Sequence, residues 1–217
     1  MSLRINDVVP DFEAETSQGP IRFHDWIGDS WAILFSPPKD FTPVCTTEFG
    51  AVAQLGEEWA KRNTKVIGVS VDSVEEHTKW IKDIASFASC DVGFPIIGDQ
   101  QLKVAKLFDM LPADAYLPDG RTPADSATVR SVFIIGPDKQ LKLSMTYPMN
   151  VGRNFSEVMR ALDALQTANG QGVATPADWT VGQDVIIPPT LSDADAKAKF
   201  GDYETVFPYL RRTPLPK

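Results

Sequence analysis

The sequence predicts an α/β fold with a small C-terminal extension, on three observations. Short apolar runs at residues 31–35 and 65–70 have the length and composition of buried strands. Each is followed by a helix-start signal and a stretch with helical apolar spacing. Beyond Asn169-Gly170-Gln171-Gly172, a plausible joint, the composition changes: residues 173–217 hold six of the 17 prolines. The expected division is therefore a main domain over residues 1–168 and an extension over 169–217.

Residues 1–30 are turn-rich, with a strand region near Asp11-Phe12-Glu13-Ala14 and a short turn or helix after Ile21. Residues 31–35 are bounded by Pro37 and Pro38 and read as a strand. Thr42 is a natural N-cap, and Pro43 suits the first helical position because its missing N–H would be unpaired there anyway. The helix starting there should reach Arg62 or Asn63, with Cys45, Phe49, Val52 and Gly56 on one buried face. Residues 65–70 form the second strand. Ser73-Val74-Glu75-Glu76 is a capping box opening a helix to about Phe87. Its apolar stripe is Val74, His77, Ile81, Ile84 and Ala88, which makes His77 a packed residue and not a ligand. A short strand at 94–97, a short helix at 101–108 and a polar loop at 111–127 follow. Residues 130–135 and 141–145 flank Gly136-Pro137-Asp138-Lys139 as a hairpin. Asn154 caps a helix to about Thr167, and a last short helix runs from Ser192 to about Phe200. An extension this small seldom makes an independent core, so it should pack on the main domain or on a partner.

Composition narrows the function. A formal net charge of −8 argues against nucleic-acid or anionic-membrane surfaces. No apolar run reaches membrane-spanning length, and the first residues lack a signal-peptide core and are too acidic nearby for a transit peptide. Two cysteines among 217 residues do not make a disulfide scaffold and fit a reducing compartment. A cytoplasmic protein is expected. Two histidines and two scattered cysteines give no metal-ligand cluster, so no metal is expected, and no motif calls for a prosthetic cofactor.

Cys45 is the candidate nucleophile. In the first turn of a helix, free N–H groups and the positive end of the helix dipole favour a thiolate over a thiol. Neither His24 nor His77 lies near Cys45 in sequence, so the helix terminus plus an arginine is the simpler means of activation. Arg130, opening an apolar strand, is the best arginine candidate.

The segment Asp40-Phe41-Thr42-Pro43-Val44-Cys45-Thr46-Thr47-Glu48 closely resembles the active-site signature of the peroxiredoxins. The resemblance continues through Arg130-Ser131-Val132-Phe133, Gly152-Arg153-Asn154-Phe155 and Val173-Ala174-Thr175-Pro176-Ala177-Asp178-Trp179, covering nearly the whole chain. Within that family the chain is similar to the one-cysteine, peroxiredoxin-six type branch. The resemblance implies a thioredoxin-like fold, a central mixed β-sheet flanked by helices, and reduction of hydrogen peroxide and organic hydroperoxides. By position, Cys45 would be the peroxidatic nucleophile, Thr42 would hold the peroxide oxygens, and Pro43 would shield the pocket. Arg130 would stabilise the thiolate and the leaving oxygen, with Glu48 and Arg153 orienting it. The implied assembly is a homodimer whose extension reaches the other subunit. The implied reductant is an external thiol such as glutathione or thioredoxin.

Cys90 reads as a bystander, since no Val-Cys-Pro resolving motif occurs in the C-terminal region. A sulfenic acid at Cys45 would then linger and be prone to overoxidation. Where this branch usually reads Ser-His-Pro, the chain has Ser36-Pro37-Pro38, so a histidine's role beside the sulfur cannot be transferred. Two further readings stay open: a secondary phospholipase A2-like activity through Ser30, His24 and Asp138, and a non-enzymatic redox-sensor or chaperone role. Against the first, Ala32 replaces the last glycine of a G-x-S-x-G pattern, and Ser30 precedes a strand instead of following one.

Overall fold

A computed structural model describes residues 3–116 and 127–215 of the chain, in two compact units, Met1–Arg153 and Asn154–Lys217. The first opens with a two-stranded hairpin, β1 (Glu13–Ala14) and β2 (Ile21–Arg22), running into α1 (Phe23–Ile27). β3 (Trp31–Phe35), α2 (Pro43–Gln54), α3 (Gly56–Lys61), β4 (Thr64–Ser70), α4 (Val74–Ala88), β5 (Ile96–Gly98) and α5 (Lys103–Leu107) follow. After a 3₁₀ turn at Ala113–Tyr116 come β6 (Arg130–Ile135) and β7 (Leu141–Tyr147). The expected loop at 111–127 is thus partly ordered at its start; residues 117–126 lie outside the described residues.

Five strands form the central sheet in the order β5-β4-β3-β6-β7. The β3–β4 and β4–β5 pairs are parallel, while β3–β6 and β6–β7 are antiparallel. This is the mixed sheet expected. Every residue of β3 and β6 is buried, which is why 31–35 and 132–135 read as continuous apolar runs.

Local sequence explains most boundaries. Ser73 Oγ accepts from Glu76 N–H at 3.2 Å, the expected cap of α4. The buried face of α4 includes Trp80, absent from the expected stripe, beside His77, Ile84 and Ala88. The helix from Pro43 stops at Gln54, short of the expected end. The Val52 carbonyl, which a continuous helix would offer to Gly56, instead takes the Leu55 N–H at 3.2 Å and the Trp59 indole N–H at 3.1 Å. Gly56, a poor helix former at the break, is consequently exposed and does not share the face of Cys45, Phe49 and Val52.

The second unit holds α6 (Phe155–Gln171), β8 (Val185–Ile187), α7 (Asp193–Phe200), β9 (Glu204–Phe207) and β10 (Leu210–Thr213). Asn154 Oδ1 caps α6 by accepting from Ser156 N–H and Glu157 N–H at 2.9 and 3.2 Å. The helix overruns the expected end because Gly172, at φ +60°, and not Gly170, supplies the left-handed cap. The three strands pair antiparallel in the order β8-β10-β9, a sheet the sequence did not announce. Val173, Trp179 and Val185 are the buried residues of a small core, with Ala164, Phe200 and Leu215 against them.

The face of α2 that carries Cys45 is seated by aromatic rings. Phe49, one turn beyond Cys45, meets Phe35 at 4.7 Å, Trp80 at 4.8 Å and Phe94 at 5.6 Å between centroids. Its ring reaches β4 where there is no side chain: a Cβ on Gly68 would lie 2.8 Å from Phe49 Cζ. Because three rings hold Phe49, it cannot swing aside. Gly68→Ala is expected to lose about 1–3 kcal/mol of stability, the usual cost of overpacking, as measured by urea unfolding.

Candidate active site

Downstream of β3 the chain is buried from Ser36 to Pro38, and its course is fixed by β6 and the two residues before it. Ser36 N–H donates to Ser131 O at 3.0 Å, Ser36 Oγ donates to Val129 O at 2.7 Å, and Thr128 Oγ1 donates to Pro37 O at 2.7 Å. The chain then turns through Phe41, a non-glycine residue at φ +53°, into Thr42 and the start of α2. Pro43 occupies the first helical position, as expected. Thr42 has the extended backbone of an N-cap, but its side chain does not cap. The hydroxyl donates to Lys39 O at 3.0 Å instead.

The first helical hydrogen bond into α2 runs from Thr46 N–H to Thr42 O at 3.0 Å. The amides of Val44 and Cys45 therefore precede the ladder, at the positive end of the helix. Cys45 is fully buried. Arg130 Nη1 lies 3.4 Å from its Sγ and 2.6 Å from Glu48 Oε2, while Arg130 Nε donates to Met149 O at 2.7 Å. One side of the guanidinium is thus pinned by a main-chain carbonyl, and the other is shared between sulfur and carboxylate.

Glu48 sits one helical turn from Cys45 and binds two arginines. Arg153 donates to its Oε1 from both the main-chain N–H, at 2.8 Å, and Nε, at 2.9 Å. Arg153 Nη2 donates to Oε2 at 2.6 Å. Nη1 of the same residue reaches Ser36 O at 3.0 Å and Ser131 O at 2.8 Å, and its guanidinium lies 5.3 Å from the centre of the Phe35 ring. Burial pulls the Arg153 guanidinium down from its ordinary range, against the bonds and charge of Glu48 that hold it up. All three charged side chains are at most 3% exposed. One buried carboxylate thus faces two guanidiniums, one of which also reaches the sulfur.

Four of the sequence-derived residues, Cys45, Glu48, Arg130 and Arg153, therefore form one hydrogen-bonded cluster, with Thr42 and Pro43 at the entrance to the same helix. Sequence reasoning missed the main-chain acceptors Ser36, Ser131 and Met149, which carry no side-chain signal. It also missed a buried contact next to the motif: His77 Nδ1 lies 2.5 Å from Asp40 Oδ2.

Ser30, His24 and Asp138 are each engaged elsewhere. Ser30 Oγ donates to Asn63 Oδ1 at 3.0 Å, His24 Nε2 lies 2.9 Å from Val9 O, and Lys142 Nζ donates to Asp138 Oδ2 at 2.6 Å. These bonds link none of the three to another, so the hydrolase reading is not favoured. Cys90 is a half-buried free thiol just past the left-handed end of α4. Among the described residues no group of His, Cys, Asp and Glu is arranged to hold a metal.

Residues 5–144 match the AhpC/TSA family, and residues 164–202 match the C-terminal domain of 1-Cys peroxiredoxin. The mitochondrial peroxiredoxin PRX1 of Saccharomyces cerevisiae is 53% identical over 97% of this chain and 80% of its own length. Peroxiredoxin-6 of Gallus gallus is 48% identical over 99% of both. Among solved structures, a yeast mitochondrial 1-Cys peroxiredoxin studied for thiol resolution via glutathione/thioredoxin systems superposes with a TM-score of 0.91, covering 98% of this chain and 100% of its own. Peroxiredoxin 6 of Arenicola marina, 44% identical, gives the same score over 100% of both. The expected cytoplasmic location is overturned by the mitochondrial relative. Few cysteines mark a reducing environment without saying which one.

Glu48→Gln leaves two buried guanidiniums without the carboxylate that pairs with both of them. It is expected to cost about 3–5 kcal/mol in a guanidinium-chloride unfolding midpoint analysis.

Proposed function

The chain belongs to the AhpC/TSA family, in its 1-Cys peroxiredoxin branch, and is a thiol peroxidase; on that premise we propose that Cys45 is its peroxidatic nucleophile. The observation that carries this is the 3.4 Å contact between Arg130 Nη1 and Cys45 Sγ inside a buried cluster of two guanidiniums around the Glu48 carboxylate. A thiolate brings that cluster to neutrality. The amides at the start of α2 favour the same anion.

In the reaction, the Cys45 thiolate attacks the terminal oxygen of ROOH. The S–O bond forms as the O–O bond breaks, and the electron pair leaves on RO⁻, which takes a proton to give ROH. Cys45 becomes the sulfenic acid. Arg130 stabilises the anion before the step and the leaving oxygen during it, in a site from which water is largely excluded. Glu48 and Arg153 keep Arg130 in place. The Thr42 hydroxyl aligns the two oxygens with the sulfur, releasing or sharing its bond to Lys39, and Pro43 covers the entrance.

An external thiol then attacks the sulfenic sulfur, water departs, and a second thiol releases Cys45 from the mixed disulfide. Glutathione and thioredoxin, the systems named for the yeast relative, are the reductants proposed here. We place the chain in the mitochondrion by analogy with that relative. The proposed assembly is a homodimer with residues 169–217 at its interface.

Cys45→Ser is expected to reduce peroxide consumption to the uncatalysed background, while Ser30→Ala leaves it unchanged. Arg130→Lys should lower the rate constant for peroxide about 100-fold, the effect of losing one positioned donor. Stopped-flow assays with glutathione or thioredoxin as sole donor check all three; full turnover by Cys45→Ser would refute the assignment.

A further inference from the structure

α4 grips the segment entering the active site at two points. His77 and Trp80, three residues apart on its buried face, are both fully buried. Trp80 Nε1 donates to Thr46 Oγ1 at 3.0 Å, in the first turn of α2. His77 bridges Ile97 O, 3.0 Å from Nε2, and Asp40 Oδ2, 2.5 Å from Nδ1. Asp40 also donates its main-chain N–H to Asp72 Oδ2 at 2.7 Å. The next residue, Phe41, holds a left-handed backbone that costs a non-glycine residue about 1–2 kcal/mol and persists only where neighbours enforce it.

The partners fix the protonation pattern. The Ile97 carbonyl only accepts, so Nε2 carries a hydrogen. Nδ1 and Asp40 Oδ2 then share one proton, as imidazolium with carboxylate or as neutral ring with carboxylic acid. Asp40 Oδ1 discriminates between the two. It is buried and, among the described residues, has no hydrogen-bond partner. Half of a carboxylate's charge left unsolvated there costs more than a bare neutral carbonyl. Burial, the leading influence, and the nearby Asp72 charge both push the Asp40 carboxyl above its ordinary value, against the pull of His77 and Ser70.

We propose that Asp40 and His77 are positioning residues for peroxide reduction: a neutral pair, Asp40 protonated and donating to His77 Nδ1, that pins the turn through Phe41 and Thr42 against α4. The hydrogen bond anchors the turn, and the pair adds no net charge to the surroundings of Cys45. The inference rests on the roles proposed above for Cys45 and Thr42.

The test compares two reactions of Cys45 in full-length Cys90→Ser protein: single-turnover oxidation by hydrogen peroxide, and alkylation by iodoacetamide, which needs the thiolate but not Thr42. Asp40→Ala is expected to slow oxidation about 10- to 100-fold, the scale of a misplaced positioning group, with alkylation unchanged. Asp40→Asn, whose amide N–H can donate to Nδ1 as the acid does, should recover most of that loss. Ring-nitrogen NMR of the parent protein, which has only two histidines, should find His77 neutral with its proton on Nε2. Oxidation of Asp40→Ala at the parent rate, equal loss of oxidation and alkylation, no recovery in Asp40→Asn, or an imidazolium at His77 would each overturn the proposal. The NMR readout decides if Asp40→Ala fails to fold. If peroxide does not oxidise Cys45 even in the parent protein, it is the assignment of Cys45 that falls.

Discussion

A single buried carboxylate organises the functional end of this molecule. Glu48 accepts four hydrogen bonds from Arg130 and Arg153, and through them it ties α2 to β6 and to the chain after β7. Such a cluster is costly to bury, and apolar residues of the same volume would often be no less stable. Its charge gives it a use. Two guanidiniums against one carboxylate leave a positive site in a nearly water-free environment, and Arg130 presents it 3.4 Å from a sulfur. An anionic sulfur there brings the charges of Arg130, Arg153, Glu48 and Cys45 to balance.

The rest of the fold presents the sulfur to that charge. β3 and β6, antiparallel neighbours, set Ser36 beside Ser131, whose carbonyls receive Arg153 Nη1. The Phe49 ring, lying over Gly68, sets the height of α2 above the sheet. Pro43 and the left-handed Phe41 start the helix abruptly, so that Cys45 falls among its first amides. The hydroxyl of Thr42 remains free of the capping role that its position suggested.

Features governed by local pattern were legible in the sequence. The strand at Trp31–Phe35, the helix start at Pro43, the Ser73 cap and the Asn154 cap all follow from residue type and spacing over a few positions. The break at Leu55 was not, because it depends on the Trp59 indole taking a carbonyl from the preceding helix. β8, β9 and β10 were hidden for a related reason: they are three or four residues long, lie among prolines, and exist only through antiparallel pairing. In the site, Cys45 was legible from its place in a helix, and Arg130 was singled out as the arginine opening an apolar strand. Glu48 and Arg153 were legible only through family resemblance. Asp40 and His77, 37 positions apart, became a pair only in three dimensions.

The account depends on the charge of one sulfur, which ultraviolet thiolate absorbance reads directly. At neutral pH the folded protein should show a thiolate band that disappears in Cys45→Ser and survives in Cys90→Ser. A spectrum that Cys45→Ser leaves unchanged would mean that the excess positive charge beside Cys45 is balanced by something else, and the account would be wrong at its centre.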